Sequence, residues 1–145
     1  PDVAERIAHV GTYIRFENTL KPALRELAIL TVARTWNCQY EWTAHQPLAE
    51  GEGARPEAIA AIRDKTAPAG LEEDEAMVFN YVSALVGKGR VPDDVFQNAA
   101  DKLGTRSITD LTATAGYYSM LACALNAAQA MPEEGKTPLL PNAEY

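Results

Sequence analysis

The chain has 145 residues, of which 13 are basic and 20 acidic, so its formal net charge is −7. This length predicts one domain, and a hydrophobic content of 47% is typical of a protein that buries a core. An acidic chain without clustered Lys and Arg is poorly suited to nucleic acid or anionic membranes, and no apolar run approaches the roughly 20 residues that span a bilayer. Two cysteines are too few for a disulfide-rich secreted scaffold, so we expect a cytoplasmic protein, although Pro1 is compatible with a removed leader.

The first part of the chain predicts three helices. Apolar residues recur at helical spacing between glycines and prolines, and no segment alternates like a strand, which predicts an all-α fold. The helices are expected at about Val3–Glu17, Pro22–Trp36 and Cys38–Glu50, with Asn37 as the cap of the third. The second helix is apolar almost all round, so we expect it to be buried.

Four further helices are predicted downstream, at about 56–65, 72–86, 92–104 and 106–130, with Gly104 as a left-handed stop between the last two. The last helix carries apolar residues three and four apart, which predict a packing seam: Ile108, Leu111, Ala115, Tyr118, Ala122 and Leu125. The tail, 132–145, contains three prolines and is expected to be extended. We therefore predict a single domain over 1–145, a bundle of six or seven helices with its core at about 20–130.

Chemistry-bearing residues are concentrated between Glu26 and His45. Cys38, Glu41 and His45 are three and four residues apart, which places them on one face of a helix. Glu26 lies inside the most apolar helix, where a carboxylate needs a partner, and His45 is a natural one. We expect these four side chains to converge on one cavity between the second and third helices.

A purely structural role is also compatible with each of these residues taken alone. Cys38 could be a buried small hydrophobe, Glu41 a solvated carboxylate and His45 a hydrogen-bonded core histidine, while Glu26 could pair with a neighbouring arginine. Trp36, Tyr40 and Trp42 are expected mainly to pack, although Tyr40 and Trp42 could also shape a substrate cavity.

Two further alternatives concern metal binding and the second cysteine. Glu26, Glu41 and His45 offer three metal ligands, but a Glu-x-x-x-His pair is common by chance, and we expect neither a metal nor another cofactor. Cys123 lies among Ala122, Ala124 and Leu125 and is expected to be buried packing.

The order of residues resembles the carboxymuconolactone decarboxylase and alkylhydroperoxidase D family. The redox branch of that family has a Glu, eleven residues, Cys-x-x-Cys, three residues and a His, and Glu26, Cys38 and His45 match three of these four positions. Residues 24–30 and 37–45 are similar to the family's opening and active-site helices, and weaker similarity continues to about residue 130. The resemblance implies an all-α, alkylhydroperoxidase D-like bundle that assembles as a homo-oligomer.

One departure from the redox pattern bears on function, because Glu41 stands where that branch has its second cysteine. Without a resolving thiol at that position the peroxidase cycle cannot close locally. The resemblance then favours the decarboxylase side: acid–base lyase or isomerase chemistry on a small organic acid or lactone, with His45 as proton carrier and Glu26 and Glu41 tuning it. A thiol peroxidase that uses Cys38 is the alternative, and a non-catalytic binding or structural protein is a third possibility.

Overall fold

The structure is a computed structural model, and it describes residues 2–133, 135, 140 and 141. The described part contains six α-helices and no strand, which confirms the all-α prediction. None of these helices has both the length and the apolar character needed to cross a membrane. In chain order they are α1 (Asp2–Phe16), α2 (Pro22–Thr35), α3 (Gln39–Gly51), α4 (Pro56–Arg63), α5 (Glu73–Lys88) and α6 (Asp93–Ala127).

Helix α2 lies at the centre of the packing, as its apolar composition predicts. Ten of its fourteen residues are buried, and α3, α4, α5 and α6 all pack against it. Pro22 occupies its first turn, where the missing N–H would have no helical acceptor. Because α2 is surrounded, the polar groups it carries, Glu26 and Arg34, need partners inside the protein.

Helix α6 combines the predicted sixth and seventh helices, and Gly104 marks the boundary between them. Gly104 has φ 76° and ψ 167°, which is non-helical but is not the left-handed helical conformation that we expected. A positive φ of this kind is readily adopted only by glycine, so the residue breaks the helix where the sequence predicted. The predicted seam faces the core: all of its members are buried except Leu125, which is half-buried.

Two sequence predictions about side chains are wrong. Asn37 does not cap α3, because Cys38 is the N-cap residue, while Asn37 has a φ of 48° and its Oδ1 accepts a hydrogen bond from Nη1 of Arg34. Cys123 is exposed rather than buried. It follows the buried Ala122, and one residue along a helix is a rotation of about 100° away from the seam.

Part of the C-terminal tail packs against α2 and α3. Leu140 is buried, its N–H donates to Gln39 Oε1 at 2.7 Å, and its carbonyl accepts from Gln39 Nε2 at 3.1 Å. The carbonyl of Pro141 accepts from Nη2 of Arg34 at 3.1 Å. Residues 134, 136–139 and 142–145 lie outside the described part, so the prediction of an extended tail stays a prediction for them.

Candidate active site

The centre of the candidate site is a hydrogen bond between α2 and α3. Nδ1 of His45 and Oε2 of Glu26 are 2.8 Å apart, which confirms the pairing that the burial of Glu26 predicted. The side chain of His45 is 12% exposed and that of Glu26 is 6% exposed. A histidine bonded through Nδ1 keeps a fixed ring orientation, so its second nitrogen, Nε2, is left for other chemistry.

Cys38 and Glu41 form the buried second half of the site, at the start of α3. Cys38 is fully buried, and burial raises the pKa of its thiol even though the backbone N–H groups of Glu41 and Tyr40 lower it. Glu41 is only 2% exposed, and within the described part of the chain neither of its carboxyl oxygens has a hydrogen-bond partner. Burial raises the pKa of Glu41 to about 8, so this carboxyl is protonated at pH 7.

Tyr118 of α6 joins the two halves, and the sequence assigned it only to a packing seam. Its ring meets the His45 ring edge to face, with centroids 4.9 Å apart. Burial raises the pKa of Tyr118, and the nearby carboxyl groups of Glu26 and Glu41 raise it further. The hydroxyl therefore stays protonated, and the three helices α2, α3 and α6 bring Glu26, Glu41 and His45 around one tyrosine.

The site is less acidic than its composition suggests. Nε of Arg25 lies 3.5 Å from Oε1 of Glu26, and this buried nitrogen makes no hydrogen bond to any described residue. With Glu41 protonated and Glu26 facing both Arg25 and His45, the carboxyl groups contribute little net negative charge. Arg34 does not take part, because its guanidinium bonds to Asn37 and Pro141 instead.

Tyr40 and Trp42, which were expected mainly to pack and as an alternative to shape a substrate cavity, lie on different sides of α3. Trp42 is fully buried, and its Nε1 donates to Oε1 of Gln46 at 2.9 Å. Tyr40 is 45% exposed and lines a small cavity with Pro132 and Glu133. Trp42 is therefore a core residue, whereas Tyr40 faces a separate cavity of about 100 Å³.

The spacing of Glu26, Glu41 and His45 in the sequence is compatible with a three-ligand metal site. Among the residues that the structure describes, no three His, Cys, Asp or Glu side chains are placed to hold a metal ion. The residues present therefore do not form the three-ligand set that their spacing allowed.

Comparison with known proteins identifies the family. The model of the carboxymuconolactone decarboxylase family matches residues 1–83, more than half of the chain, and the chain belongs to that family. The matched range includes Glu26, Cys38, Glu41 and His45, and it ends before Tyr118. Neither a curated protein nor a solved structure matches the chain.

Proposed function

We propose that this member of the carboxymuconolactone decarboxylase family is a cofactor-free lyase or isomerase that acts on a small organic acid or lactone. The observation that carries the proposal is the pairing of His45 with Glu26 near a buried Glu41, whose carboxyl oxygens bond to no described residue and whose pKa is raised by burial. A histidine oriented by a carboxylate and a second, neutral carboxyl group supply a proton carrier and a proton donor in one site.

The proposed reaction is written for a carboxymuconolactone-type substrate. The bond between the carboxylate carbon and the lactone ring breaks, and CO₂ leaves. The electron pair of that bond moves into the unsaturated lactone and gives a dienolate, whose negative oxygen needs a hydrogen-bond donor. In its imidazolium form, with Nδ1–H donating to Glu26, His45 delivers the Nε2 proton to the carbon that becomes the new C–H and is left as neutral imidazole. The protonated carboxyl of Glu41 donates a hydrogen bond to the developing oxyanion.

Charge in the site supports an anionic substrate. Arg25 supplies a cation that forms an ion pair with Glu26, with Nε 3.5 Å from Oε1, but its buried Nε–H makes no hydrogen bond to a described residue. A substrate carboxylate can take that position, since guanidinium groups bind carboxylates in a planar fork. Arg25 is therefore proposed as the group that holds the carboxylate not lost in the reaction.

Burial of Cys38 argues for acid–base chemistry over thiol chemistry. A peroxidatic cysteine reacts as the thiolate, and its pKa is normally lowered. The pKa of Cys38 is raised, and the side chain is fully buried. Cys38 and Cys123 are both free cysteines, and only Cys123 is exposed. We therefore propose the lyase as the first candidate function and the thiol peroxidase as the second.

The assembly is also a proposal. α1 exposes large apolar side chains, with Phe16 at 74%, Val3 at 67% and Val10 at 50%. Only Gly11 and Ile14 of this helix are buried. We propose that these exposed apolar side chains of α1 pack against another copy of the chain in a homo-oligomer, because such apolar exposure is typical of an interaction surface. The partners proposed are thus a small-molecule substrate and copies of the same chain.

An experiment in D₂O tests the proposed reaction. Carboxymuconolactone is incubated with the protein, CO₂ is measured, and the product is examined by mass spectrometry and NMR. The expected result is catalysed release of CO₂ and one deuterium at the new C–H, since the proton comes from an exchangeable side-chain group. Absence of catalysed CO₂ release and of isomerisation of the lactone would contradict the proposal.

A further inference from the structure

A second cavity lies between α2, α4 and α5, and it shares no lining residue with the site around His45. Its volume is about 250 Å³. Ile62, Ala67 and Phe79 supply apolar walls, Ser83 supplies a hydroxyl, and Arg34 and Lys65 supply two positive charges. A cavity with apolar walls and a few convergent polar groups is the usual form of a small-molecule site.

Arg34 is an unusual lining residue, because it is a buried cation held by neutral acceptors. It is 6% exposed. Its Nε donates to the carbonyl of Arg63 at 2.7 Å, its Nη1 to Oδ1 of Asn37 and its Nη2 to the carbonyl of Pro141 at 3.1 Å. These bonds use three of the five N–H groups of a guanidinium and fix the plane of the group at the cavity wall.

The charge of Arg34 is incompletely balanced by the rest of the described chain. No described carboxylate lies within ion-pair distance of it, and the nearest acidic influence comes from Asp64. Asp64 is itself bound by Arg63 through two hydrogen bonds of 2.8 and 2.9 Å. Burial lowers the pKa of Arg34 more than Asp64 raises it, which reflects the cost of a cation without its own counter-ion.

We propose that this cavity binds a small organic carboxylate whose apolar body lies against Ile62, Ala67 and Phe79. Arg34 receives the carboxylate through its remaining N–H groups, and Lys65, at the exposed edge, adds a second positive charge. The apolar walls favour a monocarboxylate with a ring or short chain over inorganic phosphate, and the volume is sufficient for one aromatic ring. The site is independent of the proposed reaction at His45.

An NMR titration of the full chain with benzoate tests this assignment, with benzyl alcohol as the neutral probe of similar shape. We expect saturable shifts of the backbone amides of Phe79 and Ser83. Benzoate is expected to bind at least about tenfold more tightly than benzyl alcohol, since charged hydrogen bonds are stronger than neutral ones. His45→Gln is expected to leave benzoate binding unchanged, so failure of the proposed reaction would not affect this result.

Three variants locate the binding. Lys65→Asn is expected to weaken benzoate about threefold, and asparagine suits the φ of 58° at this position. Lys88→Asn, on the exposed last turn of α5, removes the same charge away from the cavity and should have no effect. Ser83→Leu fills the cavity without touching the bonds of Arg34 and should abolish saturable binding.

Three results would overturn the proposal. The first is no saturable shift at Phe79 and Ser83. The second is equal affinity for benzoate and benzyl alcohol. The third is unchanged benzoate binding in Ser83→Leu. Arg34→Met removes the central cation and should also weaken benzoate binding. If Arg34→Met does not fold, Lys65→Asn and Ser83→Leu still test whether benzoate binds in this cavity.

Discussion

Glu41 is the residue whose chemistry depends most on its surroundings. Its side chain is buried, its oxygens lack hydrogen-bond partners among the described residues, and its pKa is raised to about 8 by burial. A carboxyl group that is protonated in the folded chain and ionised in the unfolded chain makes stability depend on pH. Between about pH 4.5 and pH 8 the folded state binds one more proton than the unfolded state at this position.

Glu41→Gln tests that difference. In the wild-type protein the contribution of Glu41 to the free energy of unfolding should fall by roughly 1.4 kcal/mol per pH unit across this window and level off above about pH 8. Glutamine is neutral throughout, so the variant should become increasingly more stable than the wild type from pH 5 to pH 8. Urea unfolding at several pH values measures this.

Glu52→Gln is the matched control, because Glu52 is exposed at the end of α3. It removes one carboxyl group in solvent and should show no comparable growth of the stability difference. A difference between Glu41→Gln and the wild type that stays constant from pH 5 to pH 8 would show that Glu41 is not protonated in the folded protein.

The spacing of residues in the sequence predicted the Glu26–His45 pair at the centre of the site, but it did not predict that Tyr118 also belongs to the site. Burial of Glu26 in an apolar helix indicated the bond to His45, because an unpaired buried carboxylate is costly. Tyr118 could not be assigned in the same way, since its contact with His45 depends on how α6 packs against α3. Tyr40 and Trp42 are two positions apart, about 200° around the helix, so one is exposed while the other is buried.

The packing of α1 on α6 depends on the missing side chain of Gly11. A Cβ at Gly11 would lie 2.2 Å from the hydroxyl oxygen of Tyr117 and 2.9 Å from its Cζ. Both distances are too short for non-bonded atoms, so the tyrosine ring occupies the space that a side chain would need. Gly11 therefore sets how closely α1 approaches Tyr117, the neighbour of Tyr118.

Gly11→Ala is expected to lower the stability of the protein. Displacing Tyr117 should cost about 1–3 kcal/mol, which exceeds the gain of at most about 1 kcal/mol from the better helix propensity of alanine. Thermal unfolding followed by circular dichroism measures the change.

Gly116→Ala is the matched control on α6. Nothing lies within 4 Å of a Cβ built at Gly116, so this variant should gain about 0.5–1 kcal/mol from propensity alone. Equal effects of the two substitutions would contradict the role given to Gly11.

Helix boundaries were predictable where glycine or proline sets the backbone. Pro22 and Pro56 begin α2 and α4 as the sequence indicated. Gly89, with a φ of 72°, ends α5 at Lys88, two residues beyond the predicted end at about 86. The N-cap residue of α3 was not predicted correctly, because Asn37 adopts a positive φ and its side chain accepts a hydrogen bond from Arg34. A tertiary contact has replaced the local capping bond that its sequence position favoured.

The exposed apolar side chains of α1 predict that the protein forms a homo-oligomer. Light scattering with size-exclusion chromatography is expected to give a mass that is a multiple of the chain mass. Phe16→Asp should shift the mass towards the monomer, since it places a charge on a side chain that is 74% exposed in the single chain.

Thr109→Asp, an equally charged substitution on the exposed face of α6, should leave the mass unchanged. A monomeric wild-type protein, or an oligomer that Phe16→Asp does not affect, would contradict the interface on α1. From the sequence an oligomer was predicted only through the family resemblance, because the exposure of the apolar side chains of α1 is known only once the packing of α1 is known.

Relative turnover of His45→Gln and Cys38→Ala tests the central claim, acid–base chemistry at His45, most directly. With carboxymuconolactone as substrate, His45→Gln should reduce turnover by about 10²–10⁴-fold, because glutamine keeps hydrogen bonding but cannot transfer the proton. Cys38→Ala should stay within about tenfold of the wild type, since no thiolate attack is required. Full activity of His45→Gln, or loss of activity in Cys38→Ala alone, would contradict the account.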